Sequence, residues 1–106
     1  MGPNLEPGAL LSSANLTAAN LTNAALYNTD LSGATLSGAT LTYANLWDAD
    51  LAHADLTSAD LTFTIMVGAD LTDVTLIDAD DPIAGIIDQA LASPYTRIPL
   101  YRDDPD

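Results

Sequence analysis

Few residues of this 106-residue chain are equipped for chemistry. It has one histidine, His53, no cysteine, and only two basic side chains, Arg97 and Arg102. A single histidine with no second ligand makes a surface residue, not a metal centre. Serine and threonine are plentiful, but no His or Lys stands ready to act as their base. Asp30, Asp50 and Asp70 are spaced twenty residues apart. A column of such carboxylates could attract a cation, although mutual elevation of their pKa values and solvation is the simpler expectation. There is no glycine-rich phosphate loop and no Gly-Gly-X-Gly-X-Asp calcium repeat. The expectation is therefore a protein that is not an enzyme and carries neither cofactor nor metal.

Charge narrows the partners further. Fifteen acidic residues against two basic ones give a formal net charge of −13. A nucleic-acid backbone is held by clustered Lys and Arg, so direct nucleic-acid binding is excluded, as is binding to an anionic membrane surface. Apolar residues make up 48 % of the chain, too many for a disordered segment and ordinary for one small domain. No apolar run approaches the ~18 residues of a spanning helix. The opening Met1-Gly2-Pro3-Asn4-Leu5-Glu6-Pro7 lacks the basic and apolar regions of a secretory signal, so a cytoplasmic location is expected.

The elements that position these residues follow from a repeat. Leu stands at 11, 16, 21, 26, 31, 36, 41, 46, 51, 56 and 61, then Met66, Leu71 and Leu76: fourteen positions in a strict five-residue register. Two residues before each is a small residue, Ala in eleven cases and Thr29, Thr64 and Val74 in the others. Between them sits Asn, Asp or Thr most often, and Ser or Thr commonly follows the Leu. A period of five suits neither a helix (3.6) nor a strand (2). It suits a chain that turns a corner every five residues, pointing one large and one small side chain inward each time, with coils stacked as in a solenoid.

Residues 9–80 thus resemble the pentapeptide-repeat family, whose motif reads Ala-(Asp/Asn)-Leu-X-X. The resemblance implies an all-β fold, a right-handed quadrilateral β-helix with four repeats per coil. Residues twenty apart should then stack, as Tyr27 with Trp47 and Tyr43 with Phe63. About three and a half coils at ~4.8 Å each give a tube roughly 17 Å tall, with all fourteen central residues buried. Thr22, Thr42 and Thr62 form a column reminiscent of ice-binding solenoids, but Ser and Thr are the commonest choice at that place in the family. Some members resemble B-DNA and occupy the DNA site of a type II topoisomerase such as gyrase. That alternative agrees with the acidity and is opposed by the short tube.

Numbering the faces by their central residues, the first three (Leu11, Leu16 and Leu21 onward) are polar and become acidic. The fourth, centred on Leu26, Leu46 and Met66, differs. Its outward residues include Tyr27, Trp47, Ile65 and Val67, and its adjoining corner carries Tyr43 and Phe63. A contiguous apolar patch of this kind marks an interface with a partner or second copy, or else is covered by the chain's own tail. Acid is uneven along the axis: from 9 to 44 only Asp30 is charged, whereas 45–81 holds nine aspartates.

Residues 1–8 read as an N-terminal cap. In the tail, Asp81 and Pro82 suit a helix start, and Ile83, Ile86, Ile87, Ala90 and Leu91 form one apolar stripe ended by Ser93-Pro94. A C-terminal capping α-helix and an extended tail are expected over 81–106. Residues 80–106 also resemble the first helix and strand of the CBS domains in CorC-type hemolysin-like proteins, which suggests a fusion. The functional expectation is a non-catalytic scaffold or interaction module. It is expected to form a homodimer through Tyr27, Tyr43, Trp47, Phe63, Ile65 and Val67, through Ile83, Ile86, Ile87 and Leu91, or through both. Because −13 opposes association, the contact should avoid the Asp30–Asp50–Asp70 column and tighten with salt.

Overall fold

The structure, a computed structural model, describes residues 8–79. The expected N-terminal cap (Gly8 apart), the capping helix over 81–106 and its stripe Ile83, Ile86, Ile87 and Leu91 lie outside the described residues.

A five-residue unit contains one turn and one bridging residue, and the backbone shows why. In every unit the residue three after the central one donates its N–H to the central residue's carbonyl, as Ala14 does to Leu11 at 3.0 Å and Ala49 to Leu46 at 3.0 Å. The residue two after the central one has a positive φ throughout, from Ser13 (61°) to Asp78 (56°). This is the pattern of a type II turn, which needs a left-handed residue at its third position. Gly33, Gly38 and Gly68 meet the requirement without strain, and Asn and Asp tolerate it. Tyr43, His53 and Phe63 adopt it as well, held there by the coils on either side.

Parallel bridges join residues twenty apart, from Leu10 with Asp30 to Asp55 with Thr75. Hydrogen bonds run both ways between coils: Leu31 N–H donates to the Asp50 carbonyl at 2.7 Å, and Asp50 N–H to the Thr29 carbonyl at 2.9 Å. Four bridges complete each coil, one per face, which gives the square cross-section.

Inside, leucine stacks on leucine and alanine on alanine. Leu21, Leu26, Leu31 and their successors to Leu71 are almost wholly enclosed, with Met66 among them. Leu11 and Leu16 are only half-buried, which corrects the expectation that all fourteen central residues are enclosed. They belong to the first coil, and no described coil lies beneath them. Thr29 and Thr64 take small inward positions and are buried. Thr64 Oγ1 donates to the Leu41 carbonyl at 2.7 Å, whereas Thr29 Oγ1 meets no partner.

Candidate functional site

The outward side chains divide into those the turn uses and those it does not. Where Asn or Asp precedes the central Leu, its Oδ1 accepts the N–H of the residue after that Leu. Thr17 donates to Asn15 at 3.1 Å, Ser32 to Asp30 at 3.0 Å, and Ala52 to Asp50 at 3.0 Å. A hydroxyl at the donor position adds a second bond to the same oxygen, at 2.7 Å from Ser32 and 2.6 Å from Thr62 and Thr72. These are Asx turns, and they account for the Asn/Asp-Leu-Ser/Thr habit of the repeat. They also correct the expectation of a raised pKa at Asp30. Asp30 is held below the ordinary carboxylate range, chiefly by the Ser32 hydroxyl and then by the Ser32 N–H. Asp60 is lowered in the same way by the Thr62 hydroxyl and N–H, against a small opposing effect of burial. Hydrogen bonding to the charged form is what lowers both. The Thr22 and Thr62 backbones likewise donate to Asn20 and Asp60, so two members of the threonine column serve the turns.

The fourth face largely abandons this use. Its bridging positions are Ala25, Asn45 and Ile65, and only Asn45 caps, accepting the Trp47 N–H at 3.0 Å. Tyr27, Trp47 and Ile65 are 41 %, 50 % and 40 % exposed, and Val67 is half-buried. On the corner shared with the third face, Tyr43 and Phe63 stack with centroids 5.1 Å apart and planes 16° from parallel, both more than half exposed. Such a stack presents a rigid aromatic edge. The six aromatic and aliphatic residues singled out in the β-helix are thus gathered on one side.

The opposite corner of this face is acidic, and the sequence did not signal its shape. A shallow cleft there is lined by Asp48, Ala49, Asp50, Gly68 and Asp70. Asp48 lies over Gly68 so closely that a Cβ on Gly68 would meet Asp48 Oδ1 at 1.9 Å. The phase of the glycines marks only the corners: Gly8, Gly33, Gly38 and Gly68 all fall at the left-handed position. His53, on the corner between the first and second faces, is exposed and lies 3.4 Å from Asp73. Among the described residues no group of His, Cys, Asp or Glu is arranged to hold a metal ion. Among the described residues no helix is long and apolar enough to cross a membrane.

Stacked five-residue turns joined by parallel bridges define a β-helix solenoid with chemically distinct faces. The chain belongs to the pentapeptide-repeat family: the model of "Pentapeptide repeats (8 copies)" matches residues 7–38, 34–73 and 54–80. Three similar solved structures are pentapeptide-repeat proteins. One from the Arabidopsis thaliana thylakoid lumen is 32 % identical with a TM-score of 0.68, over 69 % of this chain and 50 % of that one. One from the cyanobacterium Cyanothece 51142 is 38 % identical with a TM-score of 0.68, over 69 % and 50 %. HetL of Nostoc sp. strain PCC 7120, involved in heterocyst differentiation regulation, is 36 % identical with a TM-score of 0.64, over 67 % and 33 %. The matches span a third to a half of these relatives' lengths. They imply a right-handed β-helix, and no catalytic family is indicated. The family match ends at residue 80, and the CBS resemblance of the tail finds no support. None of the curated proteins matches the chain.

Proposed function

We propose that the chain is a non-catalytic interaction module whose fourth face is its contact surface, and that it pairs there with a second copy. The observation that carries this is the gathering of Tyr27, Tyr43, Trp47, Phe63 and Ile65, all exposed, on one side of the tube; among the described residues only Leu10, at the start of the first face, is a large apolar side chain exposed elsewhere. Exposed aromatic clusters of this kind form the centres of protein contacts. Symmetric pairs are the commonest oligomers. Sedimentation at about 10–100 µM tests the reading, at concentrations where contacts of micromolar Kd are populated. A dimer that Trp47→Glu dissociates is the expected result. A dimer indifferent to Trp47→Glu and broken by Ile87→Glu would move the contact to the tail.

A second reading is favoured by the acid of the upper coils, Asp48, Asp50, Asp55, Asp60, Asp70, Asp73 and Asp78. It is the DNA mimic that binds a type II topoisomerase. Roughly 17 Å of tube matches only about five base pairs at ~3.4 Å each, and two tubes end to end would double that. A gyrase supercoiling assay decides it: neither inhibition nor protection at tens of micromolar protein removes the mimic.

A further inference from the structure

We propose that the fourth face of one copy receives residues 95–102 of a second copy, Tyr95-Thr96-Arg97-Ile98-Pro99-Leu100-Tyr101-Arg102, so that two copies exchange these segments symmetrically. The inference rests on the pairing reading above and names what fills the surface.

Charge complementarity carries it. Residues 8–79 hold eight aspartates and neither Lys nor Arg, and both arginines of the chain fall within residues 95–102. Contact between two such acidic bodies is opposed by like charge on both sides. Contact between a body and this segment brings its two arginines to the aspartates, while the acidic run Asp103, Asp104 and Asp106 follows it directly.

The composition of the segment also suits the face. The middle of the face is apolar, one corner is the Tyr43–Phe63 stack, and the other is the cleft of Asp48, Asp50 and Asp70. Tyr95, Ile98, Leu100 and Tyr101 supply apolar and aromatic groups in eight residues. Arginine is the cation suited to such a border, because its flat guanidinium pairs with carboxylates through two hydrogen bonds and stacks on aromatic rings. Trp47 and Asp48 offer both partners side by side. Pro99 has no N–H to give to a ladder, which suits a segment held mainly by side chains.

The tether allows the exchange. Fifteen residues lie between Ala79 and Tyr95. With the expected helix of about ten residues at ~1.5 Å each and the remainder extended at ~3.3 Å each, they reach about 30 Å, beyond the roughly 17 Å height of the tube. Reciprocal placement closes the assembly at two copies.

Trp47 is the only tryptophan, so its fluorescence reports on this face alone. The test measures sedimentation and acrylamide quenching of the full chain at several concentrations and salt levels, beside an Arg97→Glu/Arg102→Glu double variant. The expected result is a dimer whose Trp47 is several-fold less quenchable than in the variant, which sediments as a monomer. Added salt weakens that dimer, because the contact joins opposite charges. A dimer that tightens with salt and keeps Trp47 protected in the double variant overturns the exchange and leaves the pairing intact. A monomer with exposed Trp47 overturns both. A monomer with protected Trp47, exposed by the double substitution, puts the segment on its own chain's fourth face and also overturns the exchange.

Discussion

The first and fourth faces share one backbone and use their outer surfaces differently. On the first face, Asp30, Asp50 and Asp70 stack in a bridged column, and each carboxylate caps the turn that follows it. On the fourth, Ala25 and Ile65 occupy equivalent bridging positions and cap nothing, while Trp47 stands half out of the surface. The interior beneath is the same: Leu31, Leu51 and Leu71 on one side, Leu26, Leu46 and Met66 on the other, all enclosed. The tube is therefore specified by its inward residues and its left-handed corners. Outward positions adjust stability by a cap here and there, and are otherwise free to carry function.

The largest effect should be blind to the difference. Leu46→Asp and Leu51→Asp each bury an unpaired carboxylate, at a cost beyond the about 5–15 kcal/mol margin of a small domain. Both variants should lose their thermal transition. A folded Leu46→Asp variant with an unchanged Tm would mean that the fourth face is not built on the same core.

Gly68→Ala should cost about 1–3 kcal/mol, from the left-handed backbone and from displacing Asp48, while Gly38→Ala meets open space and should incur only the backbone penalty. Equal losses in chemical denaturation would deny the close approach at the acidic corner.

Two buried threonines give opposite signs. Thr29→Val removes a hydroxyl with no partner and keeps the volume, so it should stabilise by about 1 kcal/mol. Thr64→Val removes the bond to the Leu41 carbonyl and should destabilise by about 0.5–1.5 kcal/mol. At roughly 4–8 °C per kcal/mol for a domain of this size, differential scanning calorimetry resolves the two.

The smallest effect separates the capped surface from the uncapped one. Asp60 has a lowered pKa in the folded chain. Its contribution is present above the ordinary unfolded value of about 3.9 and is lost as pH falls through the lower folded value. Asp60→Asn keeps an acceptor oxygen, as Asn15 and Asn20 do, so stability at pH 7 should change little and the acid limb below pH 4 should become shallower. Trp47→Ala, which removes no cap, should leave that limb unchanged. Melting curves from pH 7 to 2 compare them.

Much of this was legible in the residues. The fourteen-fold register announced the coil, and the twenty-residue spacing of Tyr43 and Phe63 announced a stack that the structure shows at 5.1 Å. The half-burial of Leu11 and Leu16 was missed because all fourteen units were weighed alike, although the register begins at Leu11 and no described coil lies beneath it. The lowered pKa of Asp30 was missed because stacking was weighed without the hydroxyl two residues on, although Ser32 stands in plain sequence.

By itself, then, the sequence determined period, interior and the chemistry of each face, because a five-residue turn leaves each side chain only one direction to point. The tertiary structure alone decided what depends on coil against coil: the seating of Asp48 over Gly68, the bond from Thr64 to Leu41, and the lack of one at Thr29. Each of those turns on ångström-scale distances between residues twenty or more apart, which a one-dimensional pattern places in the same column without fixing whether their atoms meet.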